Sequence, residues 1–167
     1  MTLELLCQRA LDAATKAGAG AADAIVIRGA AQSIDLRAGA LEQAERSEET
    51  EIGLRVLMGG RQACVSVSDL SDRSLAAMAE RAVAMAREAP EDPHAGLADP
   101  SQLAAHWDLD ALRICDHSEE PSAAALEQDA RLAEAGAMAQ DGIVQVEASA
   151  SFTRRHVHLA ATNGFSG

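Results

Sequence analysis

The side chains able to do chemistry in this chain are five histidines, three cysteines and 26 carboxylates. A metal-dependent hydrolase needs ligands presented together, as H-E-x-x-H presents them on one helix face. His94, His106, His117, His156 and His158 contain no such pattern. His156 and His158 stand two apart on an expected strand, and so share a face. No carboxylate or cysteine supports them nearby, which makes a solvent-facing or interface pair the simpler reading. His117-Ser118-Glu119-Glu120 gathers an imidazole, a hydroxyl and two carboxylates. Triads assemble in space, so adjacency in sequence carries little weight, and no G-x-S-x-G elbow is present. Ser118 and the acidic pair read instead as a helix N-terminus, where negative charge meets the positive end of the dipole.

The glycine pairs lead to the same place. Gly59-Gly60 lacks the lysine and the following helix of a phosphate-binding loop. Gly18-Ala19-Gly20 precedes a strand, the reverse of a dinucleotide fingerprint. Both read as turns. Cys64 lies on an expected hairpin with nothing beside it to activate a thiol. The residues therefore assign no catalytic, cofactor-binding or metal-ligating position, and leave open whether the chain is an enzyme. The positions they single out are structural turns: Gly59, Gly60, Asn163 and Gly164.

Composition narrows the class. Net charge is −12, from 26 acidic against 14 basic residues, which excludes the basic stripe that a nucleic-acid backbone requires. Solubility is the plain account; a basic protein partner, or mimicry of DNA toward a DNA-binding protein, is the other. Aromatics make up only 2% of the chain against 48% hydrophobic residues. The core must therefore be built from Ala, Leu, Val, Ile and Met, with elements approaching closely. Cys7, Cys64 and Cys115 form no CxxC and suit reduced thiols in the cytosol. The start lacks a signal-peptide pattern, and no apolar run is long enough to span a bilayer. The expectation is a soluble cytoplasmic protein with no membrane partner.

Periodicity supplies the elements. Leu3, Leu6, Ala10, Ala13 and Ala17 predict a helix over 3–17, capped by Thr2. Ala24–Ile27 reads as a buried strand, continuing loosely through 33–37 to a turn at Gly39. Leu41 to Arg46 reads as a further strand of low apolar content. Ile52, Leu54 and Val56, then Ala63, Val65 and Val67, alternate around Gly59-Gly60 as a β-hairpin. Asp69 and Ser71 offer caps for a helix over 71–88, with Leu75, Met78, Ala79, Ala82 and Ala86 as its apolar face. Residues 89–118 read as irregular, with Leu97, Leu103, Trp107, Leu109 and Leu112 available for packing and Trp107 as an anchor in the core or a domain seam. A helix over 121–139 follows, with Pro121 in its first turn. Val144, Val146, Ala148, Ala150 and Phe152 then predict a strand, and after a polar break Val157, Leu159 and Ala161 resume the alternation. The predicted class is α+β: an antiparallel sheet with helices on one face, then the start of a second helix-plus-hairpin unit. The divisions expected are 1–89 as a first domain, 90–118 as a connection, and 119–167 as a second domain cut in mid-sheet. That last expectation rests on Asn163-Gly164, a strong turn dipeptide with only Phe165-Ser166-Gly167 after it.

Several segments together resemble one family. Leu41-Glu42-Gln43-Ala44-Glu45, Glu51-Ile52-Gly53-Leu54-Arg55-Val56, Gly59-Gly60-Arg61-Gln62-Ala63 and Ser68-Asp69-Leu70-Ser71 are similar, in order and spacing, to the opening domain of the TldD/PmbA family. Glu91-Asp92-Pro93-His94-Ala95-Gly96-Leu97-Ala98-Asp99 resembles a segment of the PmbA (TldE) branch, and Ala161–Gly167 the family's glycine-rich hairpin. The resemblance implies the amino-terminal region of a noncatalytic PmbA/TldE-like subunit of a TldD/TldE metallopeptidase, acting in proteolysis of unfolded peptides. It implies a TldD-like partner that carries zinc on an H-E-x-x-x-H motif, peptide substrates, and no cofactor on this chain; a homodimer is a further possibility. The family's label "modulator of DNA gyrase" motivates the alternative, a stand-alone acidic protein-binding module. No zinc ligand carries over, because no position here matches one.

Overall fold

The computed structural model describes residues 1–104, 106 and 108–167. The order is α1 (Leu3–Lys16), β1 (Ala21–Arg37), β2 (Ala40–Met58), β3 (Arg61–Val67), α2 (Asp72–Glu88), a 3-10 turn (Pro100–Gln102), α3 (Leu109–Leu112), α4 (Ala123–Met138) and β4 (Glu147–Ala161). The strands form one sheet in the order β3-β2-β1-β4, and the class is α+β. β4 lies beside β1, so the later helix and strand add to the same sheet.

The helices begin where their caps dictate. Thr2, Ser71 and Ser122 each turn a side-chain oxygen to a backbone N–H of the first turn of α1, α2 and α4, satisfying a donor the helix leaves unpaired. Pro121 therefore precedes the cap of α4 and does not occupy its first turn. Ser118 is not at the helix start either. Its N–H donates to Asp116 and its carbonyl accepts from Arg154, while Glu120 pairs with Arg46.

The chain divides into two compact units, each discontinuous in sequence. The first comprises Met1–Arg28, Glu49–Trp107 and His156–Gly167; the second comprises Gly29–Glu48 and Asp108–Arg155. A division at residues 89 and 118 follows chain order. Compactness does not, because β1, β2 and β4 each run from one unit into the other.

In the first unit α1 and α2 cover one sheet face. Leu6, Cys7, Ala10, Leu11 and Ala14 from α1 meet Leu75, Met78, Ala79, Ala82, Val83 and Ala86 from α2 over Ala22, Ala24, Val26, Ile52, Leu54 and Val56. Seven of these side chains are alanine, so the helices can lie close on the sheet and on each other. Arg9 ties the helices together, pairing with Asp72 at 2.6 Å and donating to Leu70 O at 3.0 Å. The β2–β3 hairpin pairs Ile52 with Val67 through Met58 with Arg61. Its two-residue turn has Gly59 at φ +54° and Gly60 at φ +76°, a conformation that suits glycine.

In the second unit Ile34 and Leu36 of β1 pack with Leu126 and Ala130 of α4, joined by Ala150 and Phe152 of β4. The β1–β2 turn has φ +50° at Ala38 and +75° at Gly39. Two side chains of α4 grip it. Glu134 Oε1 accepts from Gly39 N at 2.8 Å, and Arg131 donates to Gly39 O at 2.9 Å while pairing with Glu127.

The strands depart from expectation in three places. Leu41–Arg46 and Glu51–Val56 belong to one strand, β2. The expected strand over Val144–Phe152 starts only at Glu147, and Val144 is 91% exposed. β4 also runs unbroken through the polar stretch, alternating up to Arg154; at its end Ala160 and Ala161 are both buried, whereas Val157 is 54% exposed. Arg154 stays on the side of Ala150 and Phe152, its guanidinium 5.4 Å from the Phe152 ring, so the alternation continues into the polar stretch. In the connecting segment Leu109 and Leu112 are exposed, and Leu97 and Leu103 are half-buried; the reading of Trp107 lies outside the described residues.

Candidate functional site

Among the described residues no three His, Cys, Asp or Glu side chains gather as metal ligands. His158 Nε2 lies 3.1 Å from Ser166 Oγ; His156 is exposed. His117 stands 3.9 Å from Asp110, both well exposed. Cys64 is exposed and opposite Arg55 in the hairpin. Cys7, which the sequence marks only as one of three reduced thiols, is the buried one. Its Sγ lies 3.6 Å from Ala24 O and 3.4 Å from His158 O. Burial pushes its pKa up, against a smaller lowering by backbone hydrogen bonds. A raised pKa leaves less thiolate and lower reactivity. On the other sheet face of the first unit, Arg55 pairs with Asp23 and also donates to Gln62.

The turn residues acquire a definite role. Gly60 O accepts from Asp92 N at 2.6 Å. Next to it, the Arg61 guanidinium donates to Arg87 O at 2.7 Å and pairs with Glu91 at 3.0 Å. At the far end Asn163 Nδ2 donates to Ala98 O at 2.9 Å, while Asn163 Oδ1 accepts from Phe165 N. The two turns thus fasten residues 91–98 at both ends. Between them Asp92 accepts from His94 N. Asp99, just beyond, accepts from the hydroxyl and N–H of Ser101, which hold its carboxyl below the usual aspartate range. After Asn163-Gly164 the chain turns back on β4: Ala161 N donates to Phe165 O, and Leu159 and Gly167 exchange both backbone hydrogen bonds. The return that the turn dipeptide predicts has begun.

The other notable surface is the early part of β2. β3 pairs with β2 only from Ile52 onward, so among the described residues Ala40–Glu48 has a neighbouring strand on the β1 side alone. Every residue of that stretch is exposed. Glu42, Glu45 and Glu48 stand there against Arg46, which is itself engaged by Glu48 and Glu120. No side chain here is arranged for bond-making chemistry; the arrangement offers backbone donors and acceptors in a negative setting.

Comparison with known proteins fits this geometry. Residues 22–86, which carry β1, the β2–β3 hairpin and most of α2, match the model of PmbA/TldA metallopeptidase domain 1. The Metalloprotease PmbA homolog of Haemophilus influenzae is 34% identical over 95 residues, covering 57% of this chain and 21% of that protein. Metalloprotease PmbA of Escherichia coli is 30% identical over 115 residues, covering 69% and 25%. The matched stretch is about a quarter or less of those relatives' length. Among solved structures, a proposed modulator of DNA gyrase from Bacteroides thetaiotaomicron superposes with a TM-score of 0.81 at 22% identity, over 98% of this chain and 37% of that one. TldE from Thermococcus kodakarensis gives 0.74 at 13% identity, over 97% and 36%. The structural likenesses establish the fold, and the sequence matches show that residues 22–86 are similar to the first domain of the PmbA/TldA metallopeptidases and that the chain is similar to part of the PmbA proteins.

Proposed function

We propose that this chain is the amino-terminal part of a PmbA/TldE-like noncatalytic subunit of a TldD/TldE-type metallopeptidase that degrades unfolded peptides. The observation that carries the reading is the match of residues 22–86 to the first PmbA/TldA metallopeptidase domain, together with 30–34% identity to PmbA proteins. The catalytic zinc would belong to a TldD-like partner. The structural role falls to the sheet, to the helices, and to the segment 91–98 held between Gly60 and Asn163. Three free cysteines fit a cytoplasmic setting.

The test is reconstitution. The gene product containing this chain would be co-expressed with a TldD-type protein and purified through a tag on one of them. Stable co-purification, with zinc-dependent cleavage of an unstructured peptide by the pair and none by this chain's product alone, is the expected result. Failure to associate, together with peptidase activity of the TldD-type protein unchanged by this partner, would refute the subunit role. A second reading, an acidic module that engages DNA gyrase, is favoured by the net charge of −12 and by the description of the Bacteroides structure. Salt-sensitive binding of purified gyrase would support it, and no binding at low salt would remove it.

A further inference from the structure

We propose that the free edge of β2, residues 40–48, takes up an extended basic segment of a partner polypeptide as an added strand. The edge is long. Nine residues at about 3.3 Å each span roughly 30 Å, enough for several consecutive backbone hydrogen bonds. Among the described residues its outward N–H and C=O groups have no strand beside them, since the β3 register stops at Ile52. The stretch is exposed throughout. It is also held in place: the hairpin turn that starts it is gripped by Glu134 and Arg131, so little ordering remains to oppose binding.

Charge selects the occupant. Strand addition draws affinity from the main chain and specificity from side chains along the edge. Here those side chains are Glu42, Glu45 and Glu48; Arg37 reaches Glu42 at 3.4 Å and Arg46 is shared between Glu48 and Glu120, so three glutamates on the edge meet one arginine of the edge and one from β1. A second copy paired antiparallel with Glu45 facing Glu45 would also set Glu42 against Glu48, and like charges directly across a strand pair are destabilising. Charges that guard an edge against its own kind leave it open to lysine and arginine, whose long stems also cover apolar surface such as half-exposed Leu41. The inference does not rest on the subunit reading; it rests on the edge of residues 40–48, which has no second neighbouring strand among the described residues.

The test uses the 167-residue chain and three labelled nine-residue probes: alternating Lys and Val, alternating Glu and Val, and the Lys-Val peptide with every backbone amide methylated. Fluorescence anisotropy at about 50 mM salt should show the Lys-Val probe binding at least about tenfold more tightly than either of the others. Hydrogen exchange should slow at the amides of residues 40–48 in its presence. A Glu42→Lys/Glu45→Lys variant, shown by circular dichroism to keep its fold, should lose about tenfold in affinity for the Lys-Val probe and gain for the Glu-Val probe. Equal binding of the methylated peptide would reduce the effect to bulk charge and overturn strand addition. So would unchanged exchange at 40–48 in the unsubstituted chain. Self-association through this edge would overturn the choice of occupant.

Discussion

Replacing Glu134 by alanine tests how far one helix side chain holds a distant hairpin turn. Glu134 is only 8% exposed, and its Oε1 accepts the Gly39 N–H at 2.8 Å. A hydrogen bond to a charged partner contributes about 1.5–3 kcal/mol, and uncovering the buried stem adds on the order of 1 kcal/mol. Glu134→Ala should therefore cost the second unit about 2–4 kcal/mol. Glu134→Gln keeps the length and an acceptor oxygen but not the charge, and should cost about 1 kcal/mol. Arg131 remains on Gly39 O in both variants, with Glu127 to hold it, so the turn should loosen and not vanish. Because the chain has two compact units, a single global midpoint would mix two transitions. The suitable assay is hydrogen exchange on peptides covering residues 36–42, read against peptides from the β2–β3 hairpin as an internal control. Protection should fall in the order wild type, Glu134→Gln, Glu134→Ala, at 36–42 only. Unchanged protection in the alanine variant, or equal losses in both variants, would refute the clamp.

Other outcomes follow from the same geometry. Ala38 holds a left-handed φ of +50°, so Ala38→Asn should stabilise the turn by about 0.5–1 kcal/mol, read as added hydrogen-exchange protection over residues 36–42; Ala38→Val should lower it. A Cβ on Gly60 would sit 3.4 Å from Asp92 O in a left-handed conformation, and Gly60→Ala should cost roughly 1 kcal/mol and speed exchange of the Asp92 amide. In native protein a thiol reagent should modify Cys64 and Cys115 quickly and Cys7 only after denaturation; rapid reaction at Cys7 would contradict its burial. The carboxyls of Asp69 and Asp116 are held low by the backbone and then the hydroxyl of Ser71 and Ser118, and that of Asp99 by the hydroxyl and then the backbone of Ser101. With folded values depressed, the order these bonds bring is intact above the ordinary aspartate range and lost as pH falls through each lowered value. Carboxyl carbon NMR titration should place all three below the ordinary aspartate range.

The helices were legible because three independent signals coincide: a hydroxyl cap, an apolar stripe and a breaker. Thr2, Ser71 and the Leu75–Ala86 stripe locate α1 and α2 within a residue or two. The hairpin at Gly59-Gly60 was legible because both its strands alternate and its turn demands glycine. Long strands were not. Residues 40–49 of β2 are exposed on both faces, so no burial imposes a period, and the strand reads as a short piece. β4 misled for the opposite reason: Arg154 occupies an inward position by lying over Phe152, and a charged residue there looks like an interruption. As for the site, the turn residues were visible as turns, but their hold on residues 91–98 depends on Asn163 meeting Ala98, a contact 65 positions apart that no local pattern encodes. Glu134 was hidden for a similar reason, since a glutamate on a helix reads as surface until a turn from elsewhere is found resting on it.

Three strands shared between two compact bodies also constrain how such a molecule can be cut. The polypeptide passes from one body to the other four times, so neither can be released by trimming an end. Isolating either one calls for excision and rejoining inside β1, β2 and β4, and a nick within any of these strands touches both bodies together. Lineages that lengthen or shorten this region are thereby steered toward the turns and the 89–122 connection, where an insertion leaves all three shared strands whole.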